Sequence, residues 1–483
     1  MAATSSVLIC LLSVVLSCTA IDTHSHAQGK HLWVHIDTWL HIPHSYASVG
    51  QAIAVALHDL RIVKKLRVTL GEAQPLYKAS WAAARESKVL AGILRVPRFS
   101  WDSSSAICPD IVFRAAFPFN FSLPSRCSNS RLLMHATAET GRLWDIMQPH
   151  PFVSWTTLGK LRNTAVVTPS NWSASAFVKA GIKAFVVPHG ISKHIRAATF
   201  AEKQQARKHL GLDSACLQLL TVGAATANKG LPHLLTALSS ATHRLNALPA
   251  DQPLPCIQLV VKAPSAVYEH AEARLRAAVA AVPGHPSLRI LFHGATLSDE
   301  NMAQLYRAAD LYITPYSAEG FNMPALEAAA SGVPVLATGV GPVPEFLPRT
   351  VVRFIKAHME LREGSHDLFP HTCPQGGHCA MLSYARLDEE HLREELAALM
   401  AALLHIREER LPSLAAAAPT GCPYAPAACA LCLGNTSCVV EAAAWLREVP
   451  AAATQLRNMT WGAAARSMLH IAEAQWGVRE ATG

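Results

Sequence analysis

Two glutamates in the stretch SAEGFNMPALEAAASGVPVLAT, Ser317 to Thr338, stand eight positions apart, with Gly320 directly after the first and Pro324 between them. A carboxylate accepts hydrogen bonds from hydroxyls, and charge-assisted bonds of this kind are among the stronger ones. Glu319 could therefore hold a sugar and Glu327 a ribose diol. The plainer alternative is two glutamates favoured near a helix start by the partial positive charge there. The surrounding pattern sets where they stand. ADLYITPY reads as a strand, and Met323 to Ala330 as a helix with Pro324 near its first position, where a missing N–H costs nothing; Gly332 ends the helix before the strand VPVLAT. The unit is strand, glutamate-glycine loop, helix, strand, and its loop lies at the carboxyl edge of a sheet, where ligands bind in such folds. Backbone N–H groups from about Phe321 to Ala325 are expected to be unpaired and to face that crevice, which suits phosphate oxygens. Gly320 lets a ligand approach the backbone closely.

The same alternation of short apolar runs and helical patterns fills most of the chain. HLWVHI, LRVTL, PDIVFRAAF, RLLMHAT, TAVVTPS and AFVVPHG read as strands in the first half, with a helix from about Ser45 to Leu60. LQLLTVG, CIQLVVKA, SLRILFHG, ADLYITPY and GVPVLAT repeat the pattern from Leu217. Strands alternating with helices imply parallel sheets covered on both faces. The expectation is an α/β chain of two Rossmann-like, doubly wound domains facing across a cleft, 31–200 and 206–445, joined through about Val187 to Gly211. After Glu345 the pattern loosens: 357–386 and 408–445 are rich in Cys, Pro, Gly and Ala and read as cysteine-rich insertions in the second domain. They flank an amphipathic helix with Leu392, Leu396, Leu399 and Leu403 at helical spacing, and a helix within 458–477 closes the chain.

At 483 residues the chain has room for two domains of roughly 100 to 200 residues each. Hydrophobic residues at 51% against 16% charged exclude a disordered chain. The formal charge of +8 is scattered singly, without the basic runs and interleaved aromatics of nucleic-acid binding, so it suits an anionic small ligand instead. Residues 1–20 hold an apolar block, Val7 to Leu16, followed by small residues up to Ala20, the pattern of a secretory signal peptide. That block is short for a bilayer span, which takes about 20 apolar residues; an uncleaved N-terminal anchor is the alternative. No later stretch reads as a membrane helix. Without Cys10 and Cys18 ten cysteines remain, an even number that fits disulfides in the lumen of the endoplasmic reticulum or Golgi or outside the cell. Cys422, Cys429, Cys432 and Cys438 could bind zinc, but an oxidising compartment favours disulfides. Sequons at Asn120, Asn171, Asn435 and Asn458 agree with a lumenal route.

The motifs also carry a resemblance. EGFNMPALEAAASGVPVLAT resembles the E-x7-E signature of the retaining glycosyltransferases of family 4, which have the two-domain GT-B fold. TVGAATANKG, 221–230, is similar to their strand-loop-lysine segment, HGATLSDENMAQLYRAADLYITPYSAEGF to the approach to the signature, and GVGPVPE to the glycine-rich turn that follows it. In the first half, HSYASVGQAIAVAL, PDIVFRAAFPFNF, TPSNWSASAFVKAG and VVPHGIS resemble the acceptor domain of the eukaryotic, lumenal members. The match covers about 31–350 and the closing helix, and leaves the cysteine-rich insertions outside.

The resemblance implies a UDP- or GDP-sugar donor bound in the second domain, and transfer of its sugar to the hydroxyl of a glycan, lipid or protein with retention at the anomeric carbon. It implies no metal and no other cofactor. Glu319, Lys229 and His135 are the implied catalytic residues; Gly223, Lys229, Glu319, Gly320, Phe321, Asn322, Met323 and Glu327 are the implied donor-binding residues. Glu319 would contact the donor sugar, Glu327 the ribose, and the backbone of Gly320 to Met323 the sugar and phosphate, while Lys229 balances the departing diphosphate. Read alone, Lys229 is a lysine in a surface loop. His135 falls at a strand end where the family often places a cleft residue, with Glu139 a weaker candidate nearby; read alone, a histidine after an apolar strand is structural. TPSNWS falls at the cleft wall, which argues against glycosylation of Asn171. One departure is plain: the family commonly places an arginine shortly before the lysine, and GAATANKG has none. A substitute could come from Lys262 in VVKAP. That gap keeps open a non-catalytic nucleotide-sugar-binding or glycan-binding protein, and a UDP-sugar epimerase of the same fold is a third reading. GVG at Gly339 to Gly341 lacks the third glycine of a dinucleotide fingerprint, and the chain has no P-loop, H-E-x-x-H, G-x-S-x-G or D-x-D.

Overall fold

The computed structural model describes residues 31–40, 44–72, 93, 107–117, 119–141, 162–247, 254–263, 271–363, 381–410 and 437–478. The expected leader, the sequon at Asn435, and Cys373, Cys379, Cys422, Cys429 and Cys432 lie outside the described residues. Six strands, β1 (Leu32–Thr38), β2 (Leu66–Glu72), β3 (Ile111–Ala115), β4 (Arg131–His135), β5 (Thr164–Thr168) and β6 (Ala184–Val186), form the first sheet in the order β2-β1-β3-β4-β5-β6. Every pair is parallel. Parallel sheets are covered on both faces, so their strands carry unbroken apolar runs; β1 and β3 are buried along their whole length. Helix α1 (Ser45–Leu60) lays Val49, Ile53 and Leu57 on one face of this sheet. Helix α2 (Asn171–Lys179) lays Ala176 and Phe177 on the other.

The second sheet is made of β7 (Leu217–Val222), β8 (Ile257–Lys262), β9 (Leu288–His293), β10 (Leu311–Thr314), β11 (Val335–Thr338) and β12 (Val352–Ile355). Its order, β12-β11-β10-β7-β8-β9, is the doubly wound arrangement read from one edge, with the switch point between β7 and β10. The loops leaving those two strands carry Lys229 and Glu319. Helix α3 (Phe200–His209) lies in the expected junction but belongs to this half: Lys203 and Arg207 hold Asp310 at 3.1 and 2.6 Å. Helices α4 (Leu231–Asn246), α5 (Ala271–Ala280), α6 (Asp299–Ala308), α7 (Met323–Ala330) and α8 (Val343–Phe346) connect the strands. Leu234 and Leu238 of α4 pack one face of the sheet and Tyr306 of α6 and Leu326 of α7 the other.

The segments expected as insertions are more structured than their composition suggests. Strands β13 (Ala357–Glu363) and β14 (Met381–Leu387) pair antiparallel, and Leu382 and Tyr384 of β14 are buried in a cluster with Trp39 and Phe119 of the first domain. The Ala385 N–H donates to the Ser317 carbonyl at 2.7 Å, so this ribbon braces the loop that holds Glu319. Helix α9 (Glu389–Arg410) buries Leu392, Leu396 and Leu399 against the second sheet, joined there by helix α10 (Ser437–Ala452). The four earlier cysteines pair as Cys108–Cys127 and Cys216–Cys256.

The closing helix α11 (Trp461–Trp476) crosses back to the first domain. Ala464, Ala465, Met468 and Ala472 enter the core built on α1, and burying a side chain the size of Met468 contributes about 1.5–3 kcal/mol. The return passes Gly190: the Ile191 N–H donates to the Met459 carbonyl at 2.9 Å, and a Cβ on Gly190 would lie 2.2 Å from the Trp461 nitrogen. Among the described residues no helix is long and apolar enough to cross a membrane.

Candidate active site

The two loops at the switch point touch each other. Lys229 ends a short 3-10 turn, Ala227–Lys229, and Gly230 follows with φ +68°. A Cβ on Gly230 would lie 1.9 Å from the Pro315 carbonyl oxygen, so the β7 loop reaches the β10 loop only with glycine there. The Ser317 N–H donates to the Asn228 carbonyl at 2.8 Å, and Asn228 Nδ2 to the Ala318 carbonyl at 3.2 Å. These bonds set Lys229 Nζ 2.7 Å from Glu319 Oε1, with side chains 25% and 10% exposed. Burial opposes the charge on Lys229, but the carboxylates of Glu319 and Glu139 outweigh it and hold the ammonium above its ordinary value. The Lys229 stem runs past Gly223, where a Cβ would meet Lys229 Cγ and Cδ at 3.6 Å.

Helix α7 starts at Asn322, which takes the left-handed conformation at φ 77°. Its side chain caps the Ala325 N–H at 3.2 Å and donates to Thr314 Oγ1 at 2.9 Å. The expected run of free N–H groups is therefore shorter. Ala325 is capped, Pro324 has none, and among the described residues those of Gly320, Phe321, Asn322 and Met323 remain without a partner. The Phe321 ring is buried, stacked on Phe346 at 4.3 Å and edge-on to His189 at 4.8 Å, so only its backbone faces the crevice. Met323 packs into the cores of both domains. Glu327, half-buried one turn on, accepts from the Tyr306 hydroxyl at 2.6 Å. Burial pushes its carboxyl up to about 7, against the opposing pull of that hydrogen bond.

The first domain closes the other side of the cleft. After β4 the Glu139 carbonyl accepts from the Glu319 N–H at 3.2 Å, and its carboxylate lies 3.4 Å from Asn228 Nδ2. Burial raises the Glu139 carboxyl to about 6, with Lys229 lowering it and Glu319 raising it. A Cβ on Gly320 would lie 2.6 Å from Thr137 Cβ, so Gly320 is where the two domains meet. Its carbonyl accepts from Ser170 and Ser173 Oγ at 2.9 and 3.3 Å. Tyr46 OH lies 3.0 Å from Thr137 Oγ1, and the His44 ring stacks on Tyr46 at 5.5 Å. Burial, then the Lys229 charge, lowers His44 to about 4. His44 Nδ1 accepts the Tyr46 N–H at 3.3 Å, so the neutral ring carries its proton on Nε2.

His135 ends β4 but is enclosed by Tyr46, Phe113 and His189, at ring distances of 5.7, 6.2 and 5.1 Å. It is 5% exposed and lowered to about 4 by burial, a neutral wall histidine with no hydrogen bond to Lys229 or Glu319 among the described residues. Asn171 opens α2 at the domain boundary: the Asn171 and Trp172 N–H groups both donate to the Glu345 carboxylate at 2.6 Å. A carboxylate at a helix N-terminus is favoured by the dipole and by unpaired N–H groups. Sequence reasoning singled out Glu319, Glu327, Lys229 and His135, with Glu139 only as a neighbour of His135; it placed TPSNWS at the cleft wall and GVGPVPE in the following turn without a role for Ser170, Ser173 or Glu345, and it gave none to His44 or Thr137. Each of these acts across the domain boundary, and no spacing in the chain reports that.

Residues 217–356 match the family model "Glycosyl transferases group 1". A D-inositol 3-phosphate glycosyltransferase of Geodermatophilus obscurus is 34% identical over 174 residues, which are 35% of this chain and 35% of that protein. The match thus spans about a third of that relative's length. A glycosyltransferase from Rickettsia africae superposes with a TM-score of 0.56 at 14% identity, covering 92% of this chain and 99% of that one. The Anabaena protein HepE, solved with UDP and glucose, superposes with a TM-score of 0.51 at 13% identity, covering 92% and 100%. The fold is the two-domain GT-B fold expected from the motifs.

Proposed function

We propose that the chain is a glycosyltransferase that takes a sugar from a UDP- or GDP-sugar and transfers it to an acceptor hydroxyl, with retention of configuration and without a metal. The observation that carries this reading is the Lys229–Glu319 pair at the switch point, 2.7 Å apart, with the Glu139 carboxylate opposite. Donor binding exchanges partners: the diphosphate takes Lys229 and the free N–H groups of Gly320 to Met323, and the sugar hydroxyls take Glu319. Glu327, oriented by Tyr306, accepts the ribose hydroxyls. As the bond from the anomeric carbon to the diphosphate breaks, Lys229 and the start of α7 stabilise the charge on the leaving oxygens. The acceptor hydroxyl attacks from the same face, which keeps the configuration, and its proton passes to the departing phosphate.

The family match over 217–356 and the UDP in a protein of the same fold support the donor class. In this reading 31–200 binds the acceptor, 206–445 the donor, and the two disulfides suit the secretory lumen. The test is release of nucleoside diphosphate from a panel of nucleotide-sugars by the purified protein. Release that Glu319→Ala and Lys229→Ala abolish supports the proposal; release by neither wild type nor variants refutes it. A second reading, a nucleotide-sugar-binding protein without turnover, has one observation behind it: the Lys229 charge is already shared between two carboxylates. Binding without release selects it.

A further inference from the structure

The charge at the switch point does not suit a diphosphate by itself. Lys229 faces Glu319 and Glu139, and the loop before it, GAATANKG, has no arginine. A ligand with two or three negative charges entering one cation and two carboxylates needs another positive group.

The described residues include three buried arginines and lysines: Arg114, Arg207 and Lys262. Arg114 pairs with Asp37 at 2.8 Å and Arg207 with Asp310 at 2.6 Å. Lys262 is 5% exposed, and its side chain has no hydrogen-bonding or ion-pair partner among the described residues. Its ammonium tip keeps some contact with water, but a charge this enclosed is paired as a rule, because drawing it out of water without a partner is expensive. Desolvation lowers Lys262 to about 8, with no carboxylate opposing the effect.

Its place in the fold says where the missing partner belongs. Lys262 ends β8 at the carboxyl edge of the second sheet, in register with Val222 of β7 on one side and His293 of β9 on the other. The Gly223 N–H donates to the Lys262 carbonyl at 3.0 Å, and a Cβ on the same glycine would touch the Lys229 stem at 3.6 Å. The backbone of Lys262 and the stem of Lys229 therefore meet at one glycine at the ligand edge. Beside Lys262, His293 has a buried Nδ1 without a partner. We infer that Lys262 is a second anion-binding cation of this site, which together with His293 receives a phosphoryl group of the bound nucleoside diphosphate.

The inference rests on the nucleotide-sugar reading and deepens it. The experiment is calorimetric titration of wild type, Lys262→Met, Lys262→Arg and Lys229→Ala with the nucleoside, monophosphate and diphosphate of uridine, guanosine and adenosine, with the melting temperature of each ligand-free variant. Lys262→Met is expected to bind the preferred diphosphate about tenfold to a hundredfold more weakly and its nucleoside unchanged. Its ligand-free melting temperature stays close to wild type, because no hydrogen bond or ion pair is lost. Lys262→Arg regains most of the diphosphate affinity. If Lys262→Met is poorly folded, Lys262→Gln carries the same comparison. Unchanged diphosphate affinity, or an equal loss for nucleoside and diphosphate, overturns the role of Lys262 while leaving the donor reading in place. Wild type that binds none of the three diphosphates overturns the donor reading and this inference with it.

Discussion

The two walls of the cleft are built in different ways. The second-domain wall is charged and gathered at one sheet edge: Lys229, Glu319 and Glu327 sit on two loops and one helix at the switch point of a single sheet. The first-domain wall is largely neutral and scattered: His44, Tyr46, Thr137, His135 and His189 come from three separate connections, and its histidines at 44 and 135 are held near 4 by burial. A charged wall can answer the charge that develops on a leaving group. Apart from the Glu139 carboxyl, a wall of hydroxyls and neutral imidazole rings can shape and orient an uncharged partner. On the proposed reading, donor chemistry belongs to the charged half and acceptor positioning to the other.

The sharpest way to break that assignment is to remove charge from the second-domain wall. Lys229→Ala and Glu319→Ala are each expected to lower kcat by about 10²- to 10³-fold, the loss seen for single electrostatic groups, with melting temperatures near wild type. On the first-domain wall, His44→Ala is expected to cost less, about tenfold, and to appear in the acceptor KM as well as in kcat. An equal loss on both walls would erase the distinction.

Glu327 sharpens the comparison through pH. Its carboxyl, raised to about 7 by burial, must ionise to accept two ribose hydroxyls. Donor affinity is therefore expected to weaken about tenfold per pH unit below that value and to level off above it, and Glu327→Gln should flatten the profile. The sign for stability is opposite. A carboxyl raised from 4.5 stabilises the fold in its protonated form, fully below 4.5, and that contribution is lost as pH rises through about 7. Melting curves of wild type and Glu327→Gln from pH 4 to 8 check it. The smallest effect belongs to the contact between the walls: Glu345→Ala removes a carboxylate from the start of α2. It is expected to change donor KM two- to threefold, roughly the worth of a helix-end charge, and to raise the radius of gyration in small-angle scattering.

How much of this was legible in the sequence follows the same division. The strands named from apolar runs are the strands of both sheets, and the helix Met323 to Ala330 has the expected bounds, because Pro324 and Gly332 mark its ends locally. Strand β12 has no apolar run to announce it: VRFI buries its two ends, leaves Arg353 and Phe354 half-exposed and follows a turn-rich stretch, so its pairing comes from the β11 edge rather than from its own pattern. The cysteine-rich segment at 357–386 read as an appendage, whereas Leu382 and Tyr384 are buried between the domains. Tertiary packing placed them there, and composition does not record it. Likewise the Lys229–Glu319 bond joins residues 90 positions apart, and only the parallel order of β7 beside β10 brings them together.

The central claim is that the Lys229–Glu319 pair is the part of a sugar-transfer site that opens to a nucleotide-sugar. Its most direct test is release of nucleoside diphosphate from a panel of UDP- and GDP-sugars, in metal-free buffer, by wild type and Glu319→Ala. Wild type is expected to release diphosphate from one of these donors and the variant about a hundredfold less or lower, with both proteins equally folded. Release that Glu319→Ala leaves intact, or none from any donor, would contradict it.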